Sequence, residues 1–311
     1  MYYEFVPNDI FLIKGGKPLR GEVEIKGSKN AATKMLIASL LTEELCVIEN
    51  MPLSEDTDIT VELCEAIGSQ VSFSGHDCTI ETKEIKTSLV PELSRRNRVP
   101  ILAIGPLLHR KGVAEIPVLG GCPIGHRPIN FHIEALNKMG AKIERREKSY
   151  YAESKELHGA EIELLYPSVG ATENIILTAV LAKGDTVIKN AAVEPEILNL
   201  LDMLLQMGAN ISCQPDERII KISGVSKLSG TKIKVIPDRN EIVSLAVAAL
   251  ATKGDILMRG INPDITFSSG KESNLSFAVD RACLPARQGP WTVDFELIKG
   301  DIRDKATCDK A

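Results

Sequence analysis

A glycine-rich loop carries the most reactive group of the chain. Residues 120–128 read Gly-Gly-Cys-Pro-Ile-Gly-His-Arg-Pro, and this density of glycine and proline is typical of a constrained loop rather than a packed element. The basic side chains of His126 and Arg127 favour the thiolate form of Cys122 and raise its reactivity. We therefore predict an exposed, reactive Cys122, with a free surface thiol as the alternative. Arg127 is either a clamp for a phosphate or carboxylate or an ordinary surface charge.

Two further segments place polar residues immediately before a predicted apolar helix. Residues 27–30 read Gly-Ser-Lys-Asn, and residues 166–172 read Tyr-Pro-Ser-Val-Gly-Ala-Thr. The first amides of a helix and its dipole favour anions, and Lys29 adds a full positive charge. The alternative interpretation is that Ser28 caps the helix while Lys29 is solvated. The second segment alone is no more specific than a capped helix.

Charged residues precede other apolar helices at equivalent places. Arg98 comes before the helix that begins near residue 99, and Asp238-Arg239 comes before the one that begins near residue 240. Because several helix starts carry such groups, we predict that they line one shared anion-binding cleft.

These segments belong to a repeat with a period of roughly 70 residues. An apolar phrase containing glycine recurs at 66–71, 138–143 and 206–211, and each copy predicts a helix that ends at the glycine and leads into a strand. A more apolar helix precedes each phrase, at 30–41, 99–108 and 171–181. Each unit therefore reads strand, helix, strand, helix, strands. This order predicts an α/β repeat architecture, with a plain doubly wound sheet as the alternative.

A fourth copy begins but does not continue. We predict its first strand at 232–237, its buried helix at 240–250 and its second strand at 255–259. From about residue 264 the composition changes and the helical period ends.

Bulk properties exclude several classes of function. The 311 residues carry a net charge of −5, which favours neither nucleic acid nor an anionic membrane as a partner. No apolar run reaches the ~18 residues of a membrane span, and residues 1–8 lack a signal pattern, so we expect a cytoplasmic protein. The seven cysteines form no CxxC pair and the five histidines show no ligand spacing, so we predict neither a disulfide framework nor a metal site.

The motifs together resemble the enolpyruvyl transferase superfamily, and specifically its UDP-N-acetylglucosamine branch. The resemblance rests on Gly-Ser-Lys-Asn-Ala-Ala at 27–32, the cysteine loop at 120–128 and Pro-Ser-Val-Gly-Ala-Thr at 167–172, and it extends from about residue 11 to 264. It implies a two-domain inside-out α/β barrel built from six βαβαββ units. It also implies transfer of enolpyruvyl from phosphoenolpyruvate to the 3′-hydroxyl of UDP-N-acetylglucosamine with release of phosphate, the first committed step of peptidoglycan synthesis, without a cofactor.

The resemblance also assigns roles to residues. Cys122 matches the general acid toward the enolpyruvyl methylene, which also forms a phosphoenolpyruvate adduct and is alkylated by fosfomycin. Lys29, Asn30 and Arg127 match residues that bind phosphoenolpyruvate. The matches to nucleotide-sugar contacts are Arg98, Arg127, Pro128, Ile129, Asn130, Phe131, Tyr166, Pro167, Ser168 and Val169. Asn130 replaces the aspartate of many relatives, and Tyr166 replaces the lysine of some.

Six units would need roughly 420 residues, so the sequence predicts one complete and one incomplete domain. The complete three-repeat domain is predicted at 29–236. The incomplete one combines 1–28 with 237–311, a chain truncated or frame-shifted after about 264, and the family's second-half aspartate base has no assigned counterpart. The alternatives are an inactive nucleotide-sugar-binding remnant and a carboxyvinyl transferase for another nucleotide acceptor. An open half-barrel would expose apolar surface at 242–250, which predicts self-association.

Overall fold

The structure is a computed structural model that describes residues 16–95, 97–120 and 129–261. These residues fall into two compact units. The larger unit runs from Lys26 to Asp238. The smaller one combines residues 16–25 with 239–261. The predicted division into folding domains, 29–236 and 1–28 with 237–311, stays a prediction.

Helices and strands alternate along the described chain. The α-helices are α1 (Lys29–Ala38), α2 (Glu55–Ile67), α3 (Ile104–Lys111), α4 (Asn130–Lys138), α5 (Val169–Ala179), α6 (Pro195–Gln206) and α7 (Arg239–Thr252). Short 3-10 helices span Ser39–Leu41, Val99–Ala103 and Pro215–Glu217. The strands are β1 (Arg20–Glu24), β2 (Cys46–Glu49), β3 (Gln70–Ser74), β4 (Asp77–Glu81), β5 (Val113–Pro117), β6 (Lys142–Arg145), β7 (Ser149–Glu153), β8 (Glu161–Glu163), β9 (Asp185–Lys189), β10 (Asn210–Gln214), β11 (Ile219–Ser223), β12 (Lys232–Lys234) and β13 (Asp255–Arg259).

The glycine of each repeated phrase ends a helix, as the sequence predicts. Gly68, Gly140 and Gly208 follow α2, α4 and α6 with φ angles of 124°, 95° and 97°. A side chain is disfavoured at such angles. At Gly68 and Gly140 a Cβ would also lie 2.9 Å from a backbone carbonyl oxygen, that of Glu84 or Glu156.

Each of the three copies builds a sheet with the same strand order. The first copy gives β3-β4-β2-β12 and the third gives β10-β11-β9-β8. In both sheets the outermost strand, β12 or β8, is parallel to its neighbour and the other pairs are antiparallel. The second copy gives β6-β7-β5, and a parallel bridge from Leu89 to Glu115 takes the place of the fourth strand.

The predicted first strand of the fourth copy, at 232–237, is present as β12 (Lys232–Lys234), but it does not pair within that copy. β12 instead completes the sheet of the first copy, with Ile233 opposite Ile48 of β2. The strand that pairs with β13 is β1, with Gly21 opposite Ile256. The structure thus joins strands that are far apart in the sequence, by 185 residues between Ile48 and Ile233 and by 235 between Gly21 and Ile256.

Asparagine side chains mark the equivalence of the two parallel pairs. Asn50 after β2 and Asn190 after β9 both adopt positive φ, 60° and 54°. The Asn50 amide donates to the carbonyl oxygen of Val235, 3.0 Å away and just beyond β12. The Asn190 amide donates to the carbonyl oxygen of Leu164, 2.8 Å away and just beyond β8. A hydrogen bond from an asparagine side chain therefore holds the parallel strand in place in both sheets.

The apolar first helices of the copies form the centre of the larger unit. Met35, Leu36 and Leu107 are fully buried there. Residues 99–108, predicted as one helix, form a 3-10 helix followed by α3, and the two prolines Pro100 and Pro106 explain the irregular start because proline cannot donate a backbone hydrogen bond.

The smaller unit contains β1, α7 and β13 among the described residues. Ile242, Ala246 and Ala249 of α7 are buried, whereas Val243 and Val247 are exposed. Self-association through this helix stays a prediction. No helix in the described ranges combines the length and apolar character needed to cross a membrane.

Candidate anion-binding site

The start of α1 is fixed by backbone and carboxylate contacts rather than by a serine cap. The Ser28 amide donates to the Ile236 carbonyl oxygen at 2.7 Å, and the Lys29 amide donates to Asp238 Oδ2 at 3.3 Å. Ser28 is fully buried and its hydroxyl makes no capping bond. Among the described residues its Oγ has no hydrogen-bond partner. The interpretation of Ser28 as a side-chain cap is therefore wrong.

Lys29 is held by a carboxylate from the start of α2. Its Nζ lies 2.6 Å from Asp56 Oδ2, while half of its side chain stays exposed. Burial raises the pKa of Asp56, but the hydrogen bond and charge of Lys29, with the amide of Asn97, outweigh this and leave the pKa below its ordinary value. Asp56 is thus a carboxylate at neutral pH and keeps the Lys29 ammonium at the helix start.

Asn97 links this pair to the second copy. Its Nδ2 donates to Asp56 Oδ1 at 3.2 Å, and its Oδ1 accepts from the Val99 amide at 3.1 Å. Its carbonyl oxygen accepts from the Gly120 amide at 3.0 Å. Gly120 is the first residue of the segment that contains Cys122, so the described start of that loop is anchored beside the Lys29–Asp56 pair.

Arg98, next in the chain, is half-buried, and His132 of α4 joins the second copy to the third. Burial, and secondly the charge of Arg98, lower the pKa of His132 to about 4. The neutral ring contacts the amide of Asn174 in α5, with 3.1 Å between Nδ1 and Nδ2. A Cβ at Gly170 would lie 3.2 Å from its Cε1, so glycine lets the start of α5 approach the ring. Helix starts from all three copies are thus joined by polar contacts.

Replacing His132 by glutamine is expected to reduce the loss of stability in acid. The ordinary pKa is 6.5 and the folded value is about 4, so between these values the unfolded chain binds a proton that the folded protein excludes. The free energy of unfolding therefore falls as the pH drops through this window, by up to roughly 3 kcal/mol. Glutamine does not titrate, so the variant should not show this part of the decrease.

Urea unfolding of both proteins from pH ~8 to ~4 measures the difference. The raised pKa of Glu173 stabilises the folded protein as the pH falls over part of this window. Because Glu173 is present in both proteins, its contribution cancels when the variant is compared with wild type. His158→Gln, at an exposed position, is the matched control. Parallel pH profiles for wild type and His132→Gln would contradict the assignment.

The residues predicted to bind the nucleotide sugar lie at the starts of α4 and α5, as far as they are described. Ile129 and Phe131 are half-buried against the core, whereas Asn130 is exposed. Tyr166 is 61% exposed. Pro167, Ser168 and Val169 are half-buried, and Ser168 Oγ accepts from the Ala171 amide as the cap of α5. Asn30 is half-buried in the first turn of α1.

Three predicted site residues, Cys122, Arg127 and Pro128, lie outside the described residues. The roles assigned to all the site residues stay predictions.

Comparison with known proteins identifies the family. A family model described as EPSP synthase (3-phosphoshikimate 1-carboxyvinyltransferase) matches residues 13–273. The chain belongs to the EPSP synthase family.

Curated relatives confirm the resemblance to the UDP-N-acetylglucosamine branch. A UDP-N-acetylglucosamine 1-carboxyvinyltransferase of Protochlamydia amoebophila is 47% identical over 261 residues, which cover 81% of this chain and 56% of the relative. One from Carboxydothermus hydrogenoformans is 44% identical over 255 residues, covering 82% of this chain and 60% of the relative. The chain thus spans 56–60% of the length of these two relatives.

Solved structures confirm the enolpyruvyl transferase fold. The enolpyruvyl transferase NikO from Streptomyces tendae superposes with a TM-score of 0.71 at 20% identity, covering 81% of this chain and 59% of that one. An EPSP synthase from Acinetobacter baumannii gives a TM-score of 0.62 at 20% identity, covering 80% and 57%. At this identity the likeness concerns the fold alone.

For this member of the EPSP synthase family, sequence reasoning missed the groups that hold the predicted site residues in place. Asp56, Asn97 and His132 are the clearest cases, followed by Lys34 and Glu173. A signal was available for the last two, because each is an ionisable residue within a helix predicted to be buried, where charge is rare unless paired.

Proposed function

We propose that the protein transfers the enolpyruvyl group of phosphoenolpyruvate to the 3′-hydroxyl of UDP-N-acetylglucosamine and releases phosphate, in peptidoglycan synthesis. The observation that carries the proposal is the Lys29–Asp56–Asn97 contact, which holds a half-exposed ammonium at a helix start beside the anchored end of the cysteine loop. The names of the curated relatives supply the acceptor, UDP-N-acetylglucosamine, and the carboxyvinyl group that is transferred, and the sequence resemblance supplies phosphoenolpyruvate as its donor.

In this proposal Lys29 binds the negative charge of phosphoenolpyruvate. A helix start and a lysine together favour a phosphate or carboxylate, and Asp56 keeps the ammonium in place before the substrate arrives. Arg98, half-buried at the start of the 3-10 helix Val99–Ala103, adds a second positive charge next to Asn97, which contacts the Lys29–Asp56 pair. Val169 at the start of α5 offers its backbone amide to the nucleotide sugar, whereas the Ser168 amide donates to the Tyr166 carbonyl oxygen.

The chemistry needs one proton donor and one acceptor. The Cys122 thiol gives its proton to the methylene carbon of phosphoenolpyruvate, and positive charge develops on the neighbouring carbon. The sugar 3′-hydroxyl oxygen bonds to that carbon and loses its proton to a base. The new methyl group then returns a proton to the Cys122 thiolate, the double bond re-forms, and the bond from carbon to the phosphate oxygen breaks. The base passes the hydroxyl proton to the departing phosphate, so that both groups are restored. Cationic groups around the phosphate stabilise this leaving group.

A cytoplasmic location belongs to the same proposal. The cysteines of the described residues, Cys46, Cys64, Cys78 and Cys213, are free thiols. This state is typical of a reducing compartment.

Phosphate release by the full chain tests the function. We expect release only when both phosphoenolpyruvate and UDP-N-acetylglucosamine are present. A panel of other nucleotide acceptors distinguishes the proposed acceptor from an alternative one. If UDP-N-acetylglucosamine binds, as measured by calorimetry, but no phosphate is released, the chain alone is a nucleotide-sugar-binding protein and the catalytic proposal is wrong.

A further inference from the structure

A row of alternating charges lies beneath the helix starts of the larger unit. Lys29 contacts Asp56 at 2.6 Å, and Lys34, further along α1, lies 3.9 Å from Glu173 of α5. The charge of Lys34 also acts on Asp56 and lowers its pKa. The two carboxylates therefore share Lys34, while Asp56 has Lys29 in addition.

Glu173 is a deeply buried carboxyl group. Its residue is 2% exposed, and Lys34 is the cation that lowers its pKa. Burial outweighs Lys34 and, with the nearby carboxylates Glu196 and Glu194, raises the pKa of Glu173 to about 7. Lys34 is therefore the cation that favours the charged form of Glu173 against burial and the neighbouring carboxylates.

The Lys34 ammonium forms an ion pair with Glu173 but no hydrogen bond to it. Their separation of 3.9 Å exceeds hydrogen-bond distance, and 13% of the Lys34 side chain is exposed. A lysine side chain is flexible enough to change partners within such a row. The carboxylate with more uncompensated negative charge attracts the Lys34 ammonium more strongly.

We propose that Lys34 moves from Glu173 toward Asp56 when a bound anion draws the Lys29 ammonium away, and that Glu173 then takes up a proton from solvent. Asp56 would otherwise be left half-buried with its main counter-ion engaged elsewhere. The buried Glu173 carboxylate loses its cation and is neutralised, because an unpaired charge is disfavoured in that position. Lys34 and Glu173 are thus positioning residues that couple anion binding at Lys29 to proton uptake.

Other charged and titratable groups face the same helices. Arg98 and His132 lie near Asn174 of α5, and His109 of α3 contacts the Thr178 carbonyl oxygen at 2.6 Å with its pKa lowered by burial. Both histidines resist protonation at neutral pH. Glu173 is therefore the group of this cluster expected to change its proton occupancy near pH ~7.

Proton uptake on binding of phosphoenolpyruvate is the first test, and it rests on the proposed function. Calorimetry at pH ~7.5 in buffers of different ionisation enthalpy should show uptake of roughly half a proton per bound anion by the wild-type chain. Glu173→Gln should abolish the buffer dependence. An unaltered uptake in this variant would overturn the proposal, since a merely structural role of Glu173 would change affinity but not proton number.

A second measurement needs no ligand and separates this inference from the proposed function. Lys29→Met removes the ammonium permanently and so mimics its recruitment by an anion. The pKa of Glu173, followed by carbon NMR of labelled glutamate carboxyls and assigned by the signal lost in Glu173→Gln, should rise by about one pH unit. An unchanged Glu173 titration in Lys29→Met would overturn the coupling. Absence of phosphoenolpyruvate binding in every variant would reject the proposed site, while the NMR result would still decide the charge coupling.

Discussion

Replacing Lys29 by methionine is expected to lower kcat/KM for phosphoenolpyruvate by about 10²–10³-fold, the range found when one preorganised donor to a developing anion is removed. Methionine keeps the length and the apolar stem of the side chain but removes the charge. Lys29 is half exposed, and its ion pair with Asp56 contributes little to stability in such a position, so the fold should persist.

Steady-state phosphate release with varied phosphoenolpyruvate measures the effect. Lys221→Met is the matched control, because Lys221 is an exposed lysine on β11 of the same unit. The control should keep wild-type kinetics. If Lys29→Met also keeps a wild-type kcat/KM, Lys29 does not bind the substrate anion and the proposed site is wrong.

Local signals were enough to predict most elements of the fold. The glycines at 68, 140 and 208 predicted where helices end because a positive φ is a property of one residue and its neighbours. Local signals could not predict the partners of β1 and β12 in the same way. Each is a short strand that pairs with a strand far away in the sequence, so its partner is decided by tertiary packing and by contacts such as Asn50 to Val235.

The same limit applies to the candidate site. Lys29, Arg98 and Ser168 could be singled out because each precedes a predicted helix, where the chemistry of a helix start is known in advance. Their partners could not, because Asp56 meets Asn97 across 41 residues and His132 meets Asn174 across 42. Sequence spacing carries no information about such pairs, whereas the requirement that a buried polar group be paired indicates that partners exist.

The repeat explains why these partners come from different copies. Asp56 of the first copy meets Asn97 of the second, and His132 of the second meets Asn174 of the third, so hydrogen bonds near the helix starts connect successive copies. The side chain of Asn97 accepts a hydrogen bond from the Val99 amide of its own copy and donates one to Asp56 of the preceding copy. Carboxylates compensate the lysines of α1, Asp56 for Lys29 and Glu173 for Lys34.

Replacing Cys122 by alanine is expected to lower kcat by about 10²–10⁴-fold, the usual contribution of a general acid. In the proposed reaction its thiol supplies the proton that turns the methylene carbon into a methyl group, and alanine has no proton to give. Binding of UDP-N-acetylglucosamine should be retained, because the residues proposed to bind it are unchanged.

Cys213→Ala is the matched control, since Cys213 is a half-buried thiol on β10 whose pKa is raised by burial and which has no proposed role. Single-turnover phosphate release by the two variants separates the chemical step from product release. Loss confined to Cys122→Ala, with calorimetric UDP-N-acetylglucosamine binding unchanged, supports a proton donor rather than a structural thiol. Equal rates in both variants would mean that another group protonates the methylene carbon. The anchoring of Gly120 to Asn97 would then serve to hold a binding loop, not a catalytic one.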